Sequence, residues 1–403
     1  MVFRKEQHCK NPTIEYWNLF KKPLSHSIPD FLSESFPGKT ISYCAKARTG
    51  IHEAVSILGI GEGDHVLAPA FNCGSEIDPI LVSKADLTLY PVGLTTFIDP
   101  DEIASRIQEN TKAIFIIHYF GFPQPEMAKI SELARVKGIP IIEDCALSLF
   151  SKSANSPVED SGDFSIYCFY KYYPVIGGGA VVSNLPSMTK KFNKPFPNNM
   201  DRNTVAKSMI QALFGDRLYR YLIDSLKKML KRNQPPMRAK NTARPDMPAD
   251  YYFDPAFSQA RISSITKRLL FTYNPDDMVE IRRRNFNLVL KSMEGIKNAT
   301  PLFLSMPEGV CPLLFPILVS NQETLCKALN SARIDATPWW SGYHSGVDWS
   351  DQDAACFLKD HLVALPIHQY LEPEQINYMM ETLKEILQST QSRTVEFPAR
   401  KVA

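Results

Sequence analysis

The chain has 403 residues, 44% apolar and 22% charged, close to the soluble average; this excludes a disordered, collagen-like or fibrous protein and leaves room for two or three domains. Lys and Arg number 45 against 43 Asp and Glu, and the formal net charge of +2 is far below the basic excess that non-specific nucleic-acid binding requires. The eight cysteines are scattered and include no C-x-x-C pair, so neither a zinc site nor a disulfide framework is expected, and a reducing, cytoplasmic setting fits best. The start, MVFRKEQHCKNPTIEYW, lacks the apolar core of a signal peptide. No uncharged apolar run approaches the roughly 18–20 residues that span a bilayer, so the chain reads as neither secreted nor transmembrane.

After an N-terminal segment (1–39), residues 40–185 alternate short β-branched or apolar runs with helix-like stretches, the pattern of a mostly parallel sheet covered by helices. The spacing predicts a helix over Thr49–Leu58, a turn at GIGEGD, and a strand at His65–Pro69. Further strands are expected at LTLYPV, AIFIIHYF, IPIIED, FSIYCFY and GAVVS, with a helix over Pro125–Lys137 completing a strand–helix–strand unit. The glycines of GIGEG follow a helix and precede a strand, the reverse of a dinucleotide-binding loop, and read as a helix C-cap and turn.

Between 188 and 250 the alternation breaks. Residues 204–244 hold ten Lys and Arg against two acids, an excess of eight that leaves the rest of the chain at −6. Met209–Leu230 carries apolar residues at helical spacing, so 188–250 reads as a basic helical insertion in a large domain of residues 40–270. Its charge suits a solvated face packed on the body or a surface for an anionic membrane. A smaller C-terminal α+β domain (271–403) follows, with an arginine-rich helix DDMVEIRRRNFNLVLKSM, a strand LLFPILVS, and helices ETLCKALNSA and EQINYMMETLKEIL.

Three places in the large domain carry chemistry together. Asp144 ends the strand IPIIED, and 27 residues later Lys171 follows the strand FSIYCFY and precedes the glycines 177–179. A lysine there reaches the crevice at the carboxyl edge of an open α/β sheet, where desolvation would lower its pKa and make it a nucleophile for a carbonyl. An acid on a neighbouring strand end could hold a pyridinium nitrogen protonated, the arrangement that an electron-sink cofactor needs. The third place is KARTG (46–50), the start of the first helix of this region, whose free N–H groups and dipole suit a phosphate. In TPWWSGYH, the rings of Trp339, Trp340, Tyr343 and His344 could wall a sugar or base, or serve only as core or interface aromatics. His368 in LPIHQ reads as structural.

The order of the blocks ARTGIHEAVSILGIGEGDHVLAPAFNCGS, ADLTLYPV, TKAIFIIHYFGFPQP, GIPIIEDCALSLF, GDFSIYCFYKYYPVIGGGAVVSN and VALPIHQYL resembles the DegT/DnrJ/StrS-type sugar aminotransferases, pyridoxal 5′-phosphate (PLP) enzymes of fold type I. The resemblance covers roughly 40–187 and 255–385. It implies a homodimer in which Lys171 forms the Schiff base and acts as general acid/base, while Asp144 faces the pyridine nitrogen and Ala47, Arg48 and Thr49 hold the phosphate. His118 and Gly121 match the family's H-x-x-G. The implied reaction takes an amino group from L-glutamate to a nucleotide-linked keto sugar, in surface-polysaccharide or amino-sugar biosynthesis, with no metal. Four cofactor contacts depart from the pattern. Cys73 stands where an aromatic ring usually stacks, leaving Phe71 or Tyr119 to stack instead; Leu147 stands where a Gln or His contacts the ring hydroxyl; Cys168 replaces a phosphate-binding serine; and a partner-subunit asparagine aligns near Asp254. The alternatives are another PLP reaction on the same fold, such as dehydration, condensation or amination of a non-sugar, or a non-catalytic member.

Overall fold

The computed structural model describes residues 9–12, 16–153, 156–157, 162–185, 192–197, 247–248 and 251–389. The basic stretch 204–244 lies outside the described residues. Helix α1 (Ile28–Ser35) leads into strand β1 (Thr40–Cys44), α2 (Ala47–Ile57), β2 (His65–Pro69), α3 (Gly74–Leu81), β3 (Asp86–Tyr90), α4 (Pro100–Ala104), β4 (Thr111–Ile117), α5 (Met127–Lys137) and β5 (Ile141–Asp144). A short hairpin, β6 (Lys152–Ser153) and β7 (Ser156–Pro157), precedes β8 (Phe164–Cys168) and β9 (Gly179–Ser183).

Seven of these strands form one sheet in the order β1-β9-β8-β5-β4-β2-β3. The five from β8 to β3 run parallel, and β9 pairs antiparallel with both β8 and β1. Every residue of β2, β5, β8 and β9 is buried, because helices cover both faces. This is why these strands read as nearly continuous apolar runs and not as alternations. From β2 the chain moves outward to β3, whereas from β4 it moves the other way through β5 to β8, so the order reverses between β2 and β4. In sheets of this kind the crevice beyond the carboxyl ends of the strands at such a reversal is where ligands bind.

The turns obey local chemistry. After α2, Gly59 takes φ +66° and the Ile60 N–H returns to Val55 O at 3.1 Å, a left-handed helix cap, so the GIGEG stretch is indeed a cap and turn. After Lys171, Gly177 (φ +62°) and Gly178 (φ +91°) fold the chain back so that Gly178 N–H meets Ala45 O. A Cβ on the next glycine, Gly179, would lie 2.6 Å from Tyr167 O and 3.0 Å from Ala47 N, so the start of β9 is pressed against the first turn of α2.

Beyond residue 298 a second, four-stranded antiparallel sheet forms in the order β10 (Ala299–Pro301), β11 (Leu314–Val319), β13 (Leu362–Pro366) and β12 (Thr337–Pro338). The helices Pro275–Ser292, Gln322–Ser331 and Pro373–Ser389 pack with it. The three arginines of the first of these helices clamp loops. Arg282, fully buried, donates to Leu313 O at 2.7 Å and Gln369 Oε1 at 2.9 Å, Arg283 to Val310 O at 2.5 Å, and Arg284 to Leu371 O at 3.2 Å. Part of the N-terminal segment joins this half of the molecule: Cys9 pairs with Ile334 in a parallel bridge, and His368 Nε2 donates to Lys10 O at 2.9 Å. No described helix is long and apolar enough to cross a membrane.

Candidate functional site

Four strand ends deliver side chains to the carboxyl edge of the sheet. Asp144 closes β5, buried to 1% exposure, with Oδ1 accepting the Ala146 N–H at 2.8 Å. Lys171 lies three residues beyond β8, where a turn returns the Tyr172 N–H to Phe169 O at 3.0 Å. The loop after β2 holds Phe71, Asn72 and Cys73, and Tyr119 follows β4.

The Lys171 side chain is 18% exposed and its Nζ lies 3.9 Å from Glu76 Oε1. Glu76 stands in the first turn of α3 and accepts the Cys73 N–H at 2.9 Å through Oε2, while Cys73 caps the helix from the other side. The cap pattern Cys-x-x-Glu differs from the usual Ser/Thr-x-x-Glu, and neither α3 nor Glu76 was expected from the sequence. Burial first, then the Asp144 charge, pushes the Glu76 carboxyl up to about 8. Burial also raises Asp144, against the opposing pull of the Lys171 ammonium.

The Lys171 amine differs from the expectation of a lowered pKa. Burial depresses it, but the groups around it, led by Glu76 and including Asp144, more than offset burial and hold it above the ordinary lysine range. Cys73 and Cys168 are held as neutral thiols, since burial raises both, Cys168 to about 11.

The first turn of α2 lies beside this cluster. Cys168 and Gly179 are strand partners, and Gly179 abuts Ala47. On this turn Thr49 is fully buried with its Oγ1 lacking a hydrogen-bond partner, whereas Arg48 reaches back to Tyr251 O (3.3 Å) and Tyr252 O (3.4 Å). A buried hydroxyl without a partner is costly, so its place beside a helix N-terminus fits the docking of an anionic group there.

Of the aromatic motif, the structure brings Trp340 to the site: its ring centroid is 6.0 Å from Lys171 Nζ. Trp340 adopts φ +54°, a region that bulky residues enter only when their surroundings force it. Phe71 (5.2 Å), Tyr119 (5.9 Å) and Trp339 (5.7 Å) pack against it. Phe71 and Tyr119 are fully buried behind Trp340 and tied to each other by a Tyr119 Oη to Phe71 O bond of 2.5 Å. The other two rings of the motif are engaged in the body of the protein. Tyr343 donates to Asp360 Oδ1 at 2.9 Å, and His344 is buried, with Nε2 3.0 Å from Asp78 Oδ1 and Nδ1 accepting the Gly346 N–H at 3.0 Å.

Lys359, absent from the sequence expectations, organises this wall. It is fully buried, and its ammonium donates to Asn72 O (2.7 Å), Trp340 O (3.0 Å) and Gly342 O (3.0 Å) beneath the rings of Trp349, Tyr343 and Phe71. Burial lowers its pKa to about 8.

The remaining candidates lie elsewhere or lack donors. Along β5, Glu143 projects opposite to Asp144 and meets His118, whose Nε2 donates to Glu143 Oε2 at 2.9 Å while Nδ1 accepts the Gln124 N–H at 3.1 Å. His118, Glu143 and Cys145 place ligand atoms within 4.8 Å of one another, but those two hydrogen bonds occupy both imidazole nitrogens. Leu147 is buried in the core and offers only its carbonyl, which accepts the Tyr172 hydroxyl at 2.6 Å. Asp254 is exposed and caps the 3-10 turn Pro255–Phe257 through a 2.9 Å bond from Ala256 N–H.

Residues 40–210 match the sequence profile of the DegT/DnrJ/EryC1/StrS aminotransferase family. A stretch of 152 residues, 37% of this chain, is 29% identical to a pleiotropic regulatory protein of Geobacillus stearothermophilus and spans 41% of that protein's length. Among solved structures, Helicobacter pylori PseC, an aminotransferase involved in the biosynthesis of pseudoaminic acid, superposes with a TM-score of 0.65 at 15% identity, covering 95% of this chain and 98% of PseC. Spr1654 of Streptococcus pneumoniae, in its PLP form, gives 0.63 at 16% identity, covering 96% and 93%. A point mutant of the GDP-4-keto-6-deoxymannose-3-dehydratase ColD with bound GDP-perosamine gives 0.61 at 16% identity, covering 88% and 90%. At these identities the superpositions establish the α/β fold of PLP fold type I.

Proposed function

We propose, from the match of residues 40–210 to the DegT/DnrJ/EryC1/StrS aminotransferase family, that this chain is a PLP-dependent aminotransferase that takes an amino group from glutamate to a keto group on a nucleotide-linked sugar. The observation that carries the reading is the meeting of the Lys171 amine and the buried Asp144 carboxyl at one sheet edge, beside the unsatisfied Thr49 hydroxyl on the first turn of α2. These residues fit PLP: Lys171 to anchor it, Asp144 to face its ring nitrogen, and the first turn of α2, from Ala47 to Thr49, to take its phosphate. When bound, PLP supplies an electron sink for the carbon next to the reacting nitrogen.

The protein's part is to place and move protons. Asp144, dry and fixed by its bond from Ala146 N–H, favours the protonated ring nitrogen because an uncompensated buried charge would otherwise remain. Lys171, on a short turn, would hold PLP through its amine and, once released, would take and return the proton at the reacting substrate carbon. Trp340 offers a broad apolar face next to the amine, suited to stacking on a flat or sugar ring, in the absence of any aromatic at Cys73. A homodimer and a cytoplasmic setting complete the reading, with the basic stretch 204–244 in contact with an anionic membrane surface.

The test is the half-reaction. Addition of glutamate alone to the purified protein should convert the visible absorbance of the bound cofactor to that of pyridoxamine phosphate and release one 2-oxoglutarate per site. A spectrum unmoved by glutamate or other amino donors would favour dehydration or condensation on the same fold.

A further inference from the structure

Lys171 faces two carboxyls, and the function proposed above employs only Asp144. The second, Glu76, is 5% exposed and held through one oxygen: Oε2 accepts the Cys73 N–H at 2.9 Å as part of the α3 cap, which leaves Oε1 toward Lys171 Nζ, 3.9 Å away. The groups facing the amine are Glu76 from α3, Asp144 from β5, Cys168 from β8 and Cys73 ahead of α3, with the Trp340 ring alongside. Those facing Glu76 are Asp144, Lys171 and, from the helix Asp353–His361, Lys359. Of the groups that hold the proton on the amine, Glu76 contributes most, ahead of Cys168, Asp144 and Cys73. If Asp144 serves a ring nitrogen, Glu76 is left as the carboxyl that answers to the lysine.

We propose that Glu76 is the proton partner of Lys171. The ammonium must lose a proton before its nitrogen can attack a carbonyl carbon; the N–H bond breaks, the proton passes to Glu76 Oε1 as a new O–H bond, and the nitrogen retains the electron pair. When the lysine is later displaced, the same proton returns from the carboxyl to the amine, so the exchange closes without another reactant. A carboxyl lifted toward neutrality by burial suits this role, because the most effective proton carriers have pKa values near the working pH. The proposal rests on the reading of Lys171 as the cofactor-bearing lysine.

Glu76→Gln separates charge from structure, because Gln keeps an oxygen to accept the Cys73 N–H and so preserves the α3 cap. In cofactor-free protein, trace modification by an amine-directed reagent across pH, read by mass spectrometry of the peptide holding Cys168 to Tyr172, gives the titration midpoint of Lys171. With the nearest negative charge removed, that midpoint should fall by about one unit, making the amine roughly tenfold more reactive at pH 9. The pH midpoint of the bound cofactor's visible band should fall in the same direction. An unchanged midpoint in both measurements overturns the proposal while leaving the function intact. In the unaltered protein, a carbon-13 titration of the glutamate carboxyls should show Glu76 near pH 8; a midpoint near that of an ordinary glutamate also overturns it, whatever the fate of the variant. Recovery of the cofactor on a lysine other than Lys171 would instead remove the reading beneath it.

Discussion

Replacing Lys359 by Met isolates the group that holds the wall of the site together. The substitution keeps most of the buried apolar stem but deletes three hydrogen bonds, to Asn72 O, Trp340 O and Gly342 O. At about 2 kcal/mol for each bond from a charged donor, the loss is about 6 kcal/mol. Against it stands the relief of a buried charge. A pKa lowered from 10.5 to about 8 corresponds to about 3 kcal/mol, leaving a net destabilisation of about 3 kcal/mol at pH 7. For a chain of this length, with an unfolding entropy of about 2 cal/mol/K per residue, the melting temperature should fall by about 3–4 °C.

The sign with pH follows from linkage. Between about pH 8 and 10.5 the folded wild type gives up a proton that its unfolded chain still holds, so wild-type stability rises with pH in that window and the variant lacks the gain. Thermal and denaturant unfolding at pH 7 and pH 9.5 should therefore show a gap that widens at the higher pH. Because Trp340 loses its tether, the variant should also show a raised KM for the keto sugar with a smaller change in kcat. A Lys359→Met protein as stable as wild type, with a gap independent of pH, would refute the assignment of Lys359 as a charged, three-way tie.

For Asp144, the Ala variant should bind the cofactor more weakly and lose most turnover. The Asn variant, which cannot favour the protonated ring by charge, should be nearly as inactive; full activity in Asp144→Asn, measured by 2-oxoglutarate release, would reduce this residue to a structural role. The charge of the stretch 204–244 predicts co-sedimentation with anionic vesicles at low salt that is lost at high salt, since each Lys or Arg near the surface contributes about 1 kcal/mol; absence of binding even at low salt would discard the membrane contact.

How far the sequence reveals the site depends on how local each signal is. The sheet was legible because strands buried on both faces must be apolar throughout, and AIFIIHYF, IPIIED and FSIYCFY are so nearly free of interruption. Asp144 and Lys171 were legible because each stands at or just past a strand end, and parallel strand order brings such ends to one edge. Glu76 was hidden because its helix starts on a cysteine where the familiar cap has Ser or Thr. Lys359 was hidden because its partners are set by tertiary structure, the Asn72 carbonyl lying 287 residues away along the chain. The motif TPWWSGYH read as four equivalent rings, yet Asp360, 17 residues beyond Tyr343, and Asp78, 266 residues before His344, claim those two rings. His118 was placed by a sequence match alone. Strand parity then turns it toward Glu143 and away from the face that carries Asp144.

Whether Lys171 bears the cofactor is decided by borohydride reduction of the purified protein followed by peptide mapping. A pyridoxyl group is expected on the peptide containing Cys168 to Tyr172, with no labelling of Lys359, which is buried and held by three hydrogen bonds. A pyridoxyl group recovered on Lys359, or on any lysine but Lys171, would contradict the assignment on which the proposed chemistry rests.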